Sequence, residues 1–164
     1  MKLFTSALVL CGTFALSGCA TYEPTKDYTG PTATLSDTGI SEDGSKAQMF
    51  ATTAIDGNRV MNAFWASANA SQGRGASLIA VYPSREVRAS PMKVTLRASH
   101  ATGAPIAAIA SQMAGTFFSV EGVVDFTPKP DGNYVVKGEL KKEKSSVWIE
   151  DVETGKPVTS VISK

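Results

Sequence analysis

Few side chains in this 164-residue sequence are of types that carry reactive chemistry: there are two cysteines, Cys11 and Cys19, and one histidine, His100. Hydrolysis by a serine nucleophile would need His100 together with a carboxylate. The sequence has no G-x-S-x-G motif, because Gly75-Ala76-Ser77 lacks both the spacing and a predicted helix after it. We therefore expect a non-enzymatic protein without catalytic residues, and we interpret His100 as a surface or loop histidine.

The first residues have the order of a secretory leader. Lys2 supplies a positive charge, and residues 3–16 form an uncharged, largely apolar run whose last residue begins the sequence Leu16-Ser17-Gly18-Cys19. A helix that crosses a bilayer needs about 20 apolar residues, so this run is too short to span one. Its length suits the apolar region of a signal peptide. An ordinary secretory signal followed by a chance cysteine remains the alternative interpretation.

The ending Leu16-Ser17-Gly18-Cys19 resembles the lipobox of bacterial lipoproteins, L-[AST]-[GA]-C. The resemblance implies that residues 1–18 are removed, that a diacylglycerol is attached to the sulfur of Cys19, and that the new N-terminus is acylated. Two or more acyl chains hold a protein stably on a membrane. Ala20 follows the cysteine where an aspartate would signal retention in the inner membrane. In this respect the sequence resembles lipoproteins that are sorted to the outer membrane. We therefore expect a cell-envelope protein anchored in the outer membrane and facing the periplasm.

The composition argues against several other classes of site. After removal of residues 1–18, 15 basic and 15 acidic side chains remain; a nucleic-acid binder normally carries a basic excess, so we expect no nucleic-acid partner. No free thiol would remain, and one imidazole does not make a zinc site. Residues 150–153 contain three carboxylates but lack the spacing of a calcium loop. We expect no metal and no cofactor.

The processed chain, of roughly 145 residues, fits one domain. Residues 19–30 are polar, contain proline and show no period, so we predict a lipidated N-terminus and a flexible tether. Over residues 31–164, period-two alternation predicts an all-β domain, an antiparallel β-sandwich of about seven or eight strands. Near residues 105–114, Ile106, Ile109 and Met113 recur at helical spacing, which predicts a short helix or an apolar loop. The candidate segments for these strands are residues 33–35, 50–55, 59–65, 78–82, 92–99, 118–127, 134–140, 147–150 and 158–162.

Three turns predict hairpins between these strands. Pro130-Asp131-Gly132-Asn133 combines a fixed φ at proline with residues that tolerate positive φ. Asp56-Gly57-Asn58 contains the Asp-Gly pair of tight hairpins. Glu153-Thr154-Gly155-Lys156 joins the last two predicted strands. We expect the two strands on either side of each turn to pair with each other.

Three residues are candidate contacts with a partner. Arg74, between two glycines, either belongs to a flexible connection or presents its guanidinium group to a carboxylate or phosphate. Trp65 and Trp148 either cover the edge of a second core layer or mark a contact surface. The alternation predicts that Trp148 shares a strand face with Glu150.

Several short phrases together are similar to a group of uncharacterised envelope lipoproteins of Gram-negative bacteria. This resemblance, and a more distant one to PEGA-like surface modules, implies a β-sandwich and no reaction. We therefore expect a lipid-anchored envelope protein with a structural or protein-interaction role and an envelope protein as its partner. The alternative is a periplasmic carrier of a small ligand or lipid, with residues 106–113 lining its cavity. The phrases are Tyr28-Thr29-Gly30-Pro31-Thr32-Ala33, Ile55-Asp56-Gly57, Gly73-Arg74-Gly75, Ala104-Pro105-Ile106, Val147-Trp148-Ile149-Glu150-Asp151 and Thr154-Gly155.

Overall fold

The computed structural model describes residues 21–164, so Cys19 and the predicted signal peptide lie outside the described residues. Two β-sheets pack face to face around a common core, which confirms the predicted all-β sandwich. Two short helices accompany them. The elements are β1 (Thr32–Ser36), β2 (Thr38–Ser41), β3 (Lys46–Ile55), β4 (Asn58–Arg59), α1 (Ala63–Ser71), β5 (Ser84–Arg88), β6 (Met92–Thr102), α2 (Pro105–Met113), β7 (Ser119–Phe126), β8 (Asn133–Glu139), β9 (Ser146–Asp151), β10 (Lys156–Pro157) and β11 (Ile162–Ser163).

The first sheet has the strand order β10-β9-β8-β1-β5, and β11 also pairs with β9. The second sheet has the order β2-β3-β6-β7, and β4 also pairs with β3. The pairing is antiparallel except between β1 and β8, where Leu35 lies opposite Tyr134 in a parallel register. The first sheet is therefore mixed rather than wholly antiparallel. The chain changes from one sheet to the other after β1, β4, β5 and β7.

The core lies between the sheets and follows the predicted alternation. On β6, Val94, Leu96 and Ala98 are fully buried, while the residues between them point to the outer face of the second sheet. Val136 and Ile149 face them from the first sheet and are equally buried. Burying apolar side chains on one face of each sheet is what holds two such layers together.

The hairpin predicted around Pro130-Asp131-Gly132-Asn133 is wrong, although both of its strands and the turn exist. Asp131 has a φ of 58°, as the turn chemistry requires. However, β7 pairs with β6 and β8 pairs with β9, so the turn carries the chain from the second sheet to the first. Both strands bury their apolar residues in the common core, where the centres of the Phe126 and Tyr134 rings lie 5.0 Å apart, but the strands do not bond edge to edge.

The hairpin at Asp56-Gly57-Asn58 exists but is short. β3 and β4 pair through Ala54 with Arg59 and Ile55 with Asn58, and the predicted strand 59–65 then gives way to α1. The helix begins here because the side chain of Asn62 accepts a hydrogen bond from the backbone N–H of Trp65 at 3.2 Å. This is a helix N-cap.

The strand predicted at residues 78–82 is also wrong. Its backbone donors bind serine side chains of α1: Ile79 N–H donates to Ser71 Oγ and Val81 N–H to Ser67 Oγ, both at 2.8 Å. With Leu78 and Ala80 the segment packs over Met49 on the outer face of the second sheet. β2 and β5 are strands that the alternation did not predict.

The C-terminal hairpin is confirmed, but its second arm consists of two short strands instead of one continuous strand. β9 turns at Gly155, whose φ is 64°, and β10 and β11 both pair with β9. The helix predicted near residues 105–114 is confirmed as α2. Neither helix of the described chain is long and apolar enough to cross a membrane.

The described part of the predicted tether lies on the domain. Tyr22 N–H donates to the carbonyl of Arg59 at 3.2 Å, Pro24 is buried, and the Tyr22 ring packs against the main core. Residues 21–28 are thus attached to the β3–β4 end of the sandwich rather than extending from it as a free linker.

Candidate functional site

A groove of about 980 Å³ runs along the outer face of the second sheet beside α1. We call it the α1 groove. Its floor is formed by outward side chains of β3 and β6, and its wall by the first turn of α1. The residues that give it chemical character are Thr21, Arg59, Phe64, Trp65, Arg97 and Glu121.

The position of α1, and hence of the groove wall, is fixed by Asp37, which is 3 % exposed. Asp37 Oδ2 accepts a hydrogen bond from Ala63 N–H at 2.8 Å, and Oδ1 accepts one from Thr52 N–H at 3.0 Å. The carboxylate therefore joins the first residue of α1 to β3. A negative charge at a helix N-terminus is favourable because the first backbone N–H groups are unpaired there.

Arg85 completes this buried pair. Its Nη1 lies 3.0 Å from Asp37 Oδ1, and its Nη2 donates to the carbonyl of Met61 at 2.8 Å. Burial raises the pKa of Asp37, and the Arg85 guanidinium and the two backbone donors oppose this rise. The arrangement connects β5 of the first sheet with α1 on the second.

The groove combines aromatic and cationic groups. Trp65 is 44 % exposed. The Arg97 guanidinium lies over the Phe64 ring, 5.0 Å from its centre, and its Nε is 3.8 Å from Glu121 Oε2. Arg59 is exposed and makes no side-chain hydrogen bond or ion pair within residues 21–164. Such a surface suits a ligand that carries an anionic group next to an apolar part.

The candidate contact residues predicted from the sequence are not brought together. Trp65 lies in the α1 groove, but on a helix rather than a strand. Trp148 is half-buried on the outer face of the first sheet, where its Nε1 donates to Glu150 Oε2 at 3.4 Å. Arg74 is exposed in the turn after α1, flanked by Gly73 and Gly75 with φ values of 76° and 64°. The two tryptophans therefore lie on opposite faces of the sandwich.

The interpretation of His100 as a surface or loop residue is wrong, because β6 continues to Thr102 and buries the imidazole at 5 % exposure. Nε2 lies 3.0 Å from Glu42 Oε1, and Nδ1 accepts a hydrogen bond from Phe118 N–H at 3.0 Å. An accepting Nδ1 carries no proton, so the ring donates through Nε2. Both nitrogens are engaged in holding the β2–β3 turn and the start of β7 together.

Glu42, the carboxylate partner of His100, also contacts Lys46 at 3.3 Å and Gln48 at 3.0 Å. Burial acts to raise the pKa of Glu42, but the hydrogen bond from Gln48, the electrostatic attraction of His100 and the hydrogen bond and charge of Lys46 lower it below its usual value. This cluster holds the β2–β3 turn to β3 and β6 at the α2 end of the molecule.

α2 is the most apolar exposed element of the described chain. None of its residues is buried, and Ile106, Ile109 and Met113 are 72 %, 52 % and 86 % exposed. The chain on either side is held in place, because Gly103 N–H donates to Ser45 O and Lys46 Nζ donates to Thr116 O, both at 2.9 Å. A fixed helix therefore presents an unpaired apolar surface.

No family model, no curated protein and no solved structure matches this chain. Its function is therefore inferred from the residues and geometry described above.

Proposed function

We propose that this chain is a lipid-anchored protein of the bacterial cell envelope that binds another envelope protein through α2 and catalyses no reaction. The anchor would be Cys19, acylated after removal of residues 1–18. The basis for this part of the proposal is the apolar run of residues 3–16, whose last residue begins the sequence Leu16-Ser17-Gly18-Cys19. The outer membrane, with the domain in the periplasm, is the location that Ala20 favours.

The observation that carries the binding role is the position of α2 relative to the N-terminal segment. Tyr22 is bonded to Arg59 at the β3–β4 end, close to the start of β6. α2 follows Thr102 at the opposite end of the same strand. From Val94 to Thr102 a β-strand rises about 26 Å. A protein anchored through Cys19 would thus hold α2 away from its own bilayer.

The chemistry of α2 indicates the kind of partner. Ile106, Ile109 and Met113 follow the spacing with which a short helix enters an apolar groove. Residues 101–120 contain no charged side chain, so the contact is formed by apolar burial rather than by ion pairs. We propose a partner protein with an apolar groove that receives these three side chains.

Cross-linking from intact envelopes tests this contact. A photoreactive residue at position 109 should capture one reproducible protein, and Ile106→Ser together with Met113→Ser should abolish the capture. A photoreactive residue in place of Val152, which is 54 % exposed at the β9–β10 turn, is the control. Capture of the same proteins from both positions, or of none, would reject the α2 contact.

The anchor is tested separately. Wild-type protein should remain with washed membranes, whereas Cys19→Ser should release the processed protein to the soluble fraction. Release of both forms, or retention of both, would reject acylation of Cys19 as the anchor.

A second candidate function is the periplasmic carrier of a small ligand or lipid. α2 lines neither of the two described depressions, so the carrier would use the α1 groove instead of residues 106–113. Native mass spectrometry of protein purified from cells distinguishes the two functions, because a carrier should retain a stoichiometric ligand. A mass equal to that of the acylated chain alone would reject the carrier.

A further inference from the structure

We infer that the α1 groove opens onto the headgroup layer of the anchoring bilayer, where Arg59 and Arg97 bind lipid phosphates and Trp65 lies at the membrane–water interface. The inference rests on the proposed acylation of Cys19 and adds a second, non-covalent contact to it. The occupant of the groove is an anionic phospholipid headgroup.

The reach of the chain is the first argument. Thr21 lines the α1 groove, and only Ala20 separates it from Cys19. Two residues span at most about 7 Å. Acyl chains on Cys19 therefore bring the mouth of the groove to the surface of the bilayer.

The side chains at that mouth are suited to a headgroup layer. Tryptophan is enriched at membrane–water interfaces because its ring is apolar and its N–H is polar. Arginine binds phosphate through paired N–H donors. Arg59 has no side-chain partner among the described residues. Arg97 approaches Glu121 through Nε alone, at 3.8 Å, which is beyond hydrogen-bond distance. Both guanidinium groups therefore retain free donors.

The charge of the groove agrees with an anionic occupant. Its lining contains Arg59 and Arg97 against the single carboxylate of Glu121. The Arg97 guanidinium also lies over the Phe64 ring, so the positive charge and an aromatic surface stand side by side in the groove. A positive, aromatic surface beside an anchor favours anionic headgroups over zwitterionic ones.

The two tryptophans provide an internal comparison. Trp65 lies in the groove, whereas Trp148 is on the outer face of the first sheet, because its neighbours Val147 and Ile149 point into the core. A bilayer that contacts the groove must leave Trp148 in water. Trp148→Phe and Trp65→Phe therefore give two single-tryptophan proteins that report on opposite faces.

The first experiment uses acylated protein in vesicles of phosphatidylethanolamine and phosphatidylglycerol with brominated acyl chains, which quench nearby tryptophan fluorescence. Trp148→Phe, which retains Trp65, should be quenched several-fold more than Trp65→Phe, which retains Trp148. Equal quenching of the two proteins would overturn the inference. The vesicles are sedimented before the fluorescence is measured. Failure of the protein to sediment with them would contradict anchoring through Cys19. Equal quenching in protein that does sediment would contradict only the contact between the α1 groove and the headgroups.

The second experiment removes the anchor and measures the groove alone. The processed chain carrying Cys19→Ser should bind phosphatidylglycerol vesicles weakly, and Arg59→Gln and Arg97→Gln should each reduce that binding about fivefold. Arg74→Gln is the matched control, because Arg74 does not line the α1 groove. It lies in the turn after α1, and the backbone of nearby Ser77 lies against Gly103 at the α2 end of the molecule. An equal loss in all three variants, or equal binding to phosphatidylcholine vesicles, would overturn the inference.

Discussion

Asp37 is the residue on which the groove wall depends most directly. Its carboxylate is buried and accepts from Thr52 N–H, Ala63 N–H and Arg85. Nothing in the local sequence distinguishes it from the neighbouring polar residues Ser36 and Thr38. Only the meeting of β3, β5 and α1 around it identifies it, which is why the sequence did not predict it.

Asp37→Ala is expected to lower the free energy of unfolding by about 3–5 kcal/mol, because it leaves the Arg85 charge and two backbone donors unpaired in the interior. Urea unfolding monitored by circular dichroism measures the loss. Asp125→Ala is the control, since Asp125 pairs with Lys93 on the surface with 86 % of its side chain exposed, and it should cost much less. Equal losses in the two variants would contradict the role assigned to Asp37.

Glu42 gives the molecule a predictable dependence on pH. Its pKa in the folded protein is below the ordinary value of 4.5, although burial alone would raise it. A carboxyl whose pKa is depressed on folding stabilises the protein above its unfolded pKa, and this contribution disappears as the pH falls through the folded pKa.

Glu42→Gln should therefore cost about 1 kcal/mol of unfolding free energy near neutral pH. The difference from wild type should shrink as the pH falls below 4.5. Urea unfolding at a series of pH values measures it. A difference that stays constant or grows in acid would contradict this sign.

Among the elements, α2 was predictable and α1 was not. Ile106, Ile109 and Met113 repeat at helical spacing with no competing alternation, so the helix could be identified locally. The strand predicted up to Trp65 depended on the Asp56-Gly57-Asn58 turn that precedes it, and the capping residue Asn62 looks like any loop asparagine. Asp37, far away in sequence, fixes the start of α1 through Ala63 N–H.

Gly138 shows how closely two elements approach. It lies on β8 where Phe50 of β3 packs against it: a Cβ at this position would be 2.7 Å from Phe50 Cδ1 and 2.5 Å from Ser146 O. Both distances are too short for real contacts, so an added methyl group forces the two sheets or the β8–β9 pair to shift.

Gly138→Ala is accordingly expected to destabilise the protein by about 1–3 kcal/mol. Thermal unfolding measured by calorimetry reports the change. Gly44→Ala is the matched control, because a Cβ on Gly44 meets nothing within 4 Å. If the two variants unfold alike, the sheets are not in the contact described.

At the scale of the whole molecule, the two sheets share one core. Leu35 and Val136 of the first sheet and Phe50 and Leu96 of the second belong to a single buried cluster. The chain also crosses repeatedly between the sheets. Neither sheet can lose its partner without exposing its own apolar face.

We therefore predict one cooperative unfolding transition. Trp65→Phe and Trp148→Phe each leave a single fluorescent tryptophan, and the two remaining tryptophans lie on opposite faces. The urea midpoints measured by fluorescence in the two variants should coincide with each other and with the midpoints measured by circular dichroism. Separate midpoints for the two faces, in proteins that agree by circular dichroism, would show that the sheets unfold independently.

The sequence by itself determined the features that are written in local periodicity. Alternation gave the faces of β6, β7, β8 and β9, because a strand exposes every second residue on the same side. The all-β class followed from those faces and the turns between them. Acylation of Cys19 remains a prediction, since that residue lies outside the described chain.

Only the tertiary structure decided which strands pair, because alternation shows which face of a strand is apolar but not which other strand bonds to its edge. β7 and β8 lie in different sheets despite a suitable turn between them. The same packing buried His100, placed Asp37 under α1, and brought Trp65, Arg59 and Arg97 from separate elements to one groove. Such encounters depend on residues distant in sequence, so no local pattern could contain them.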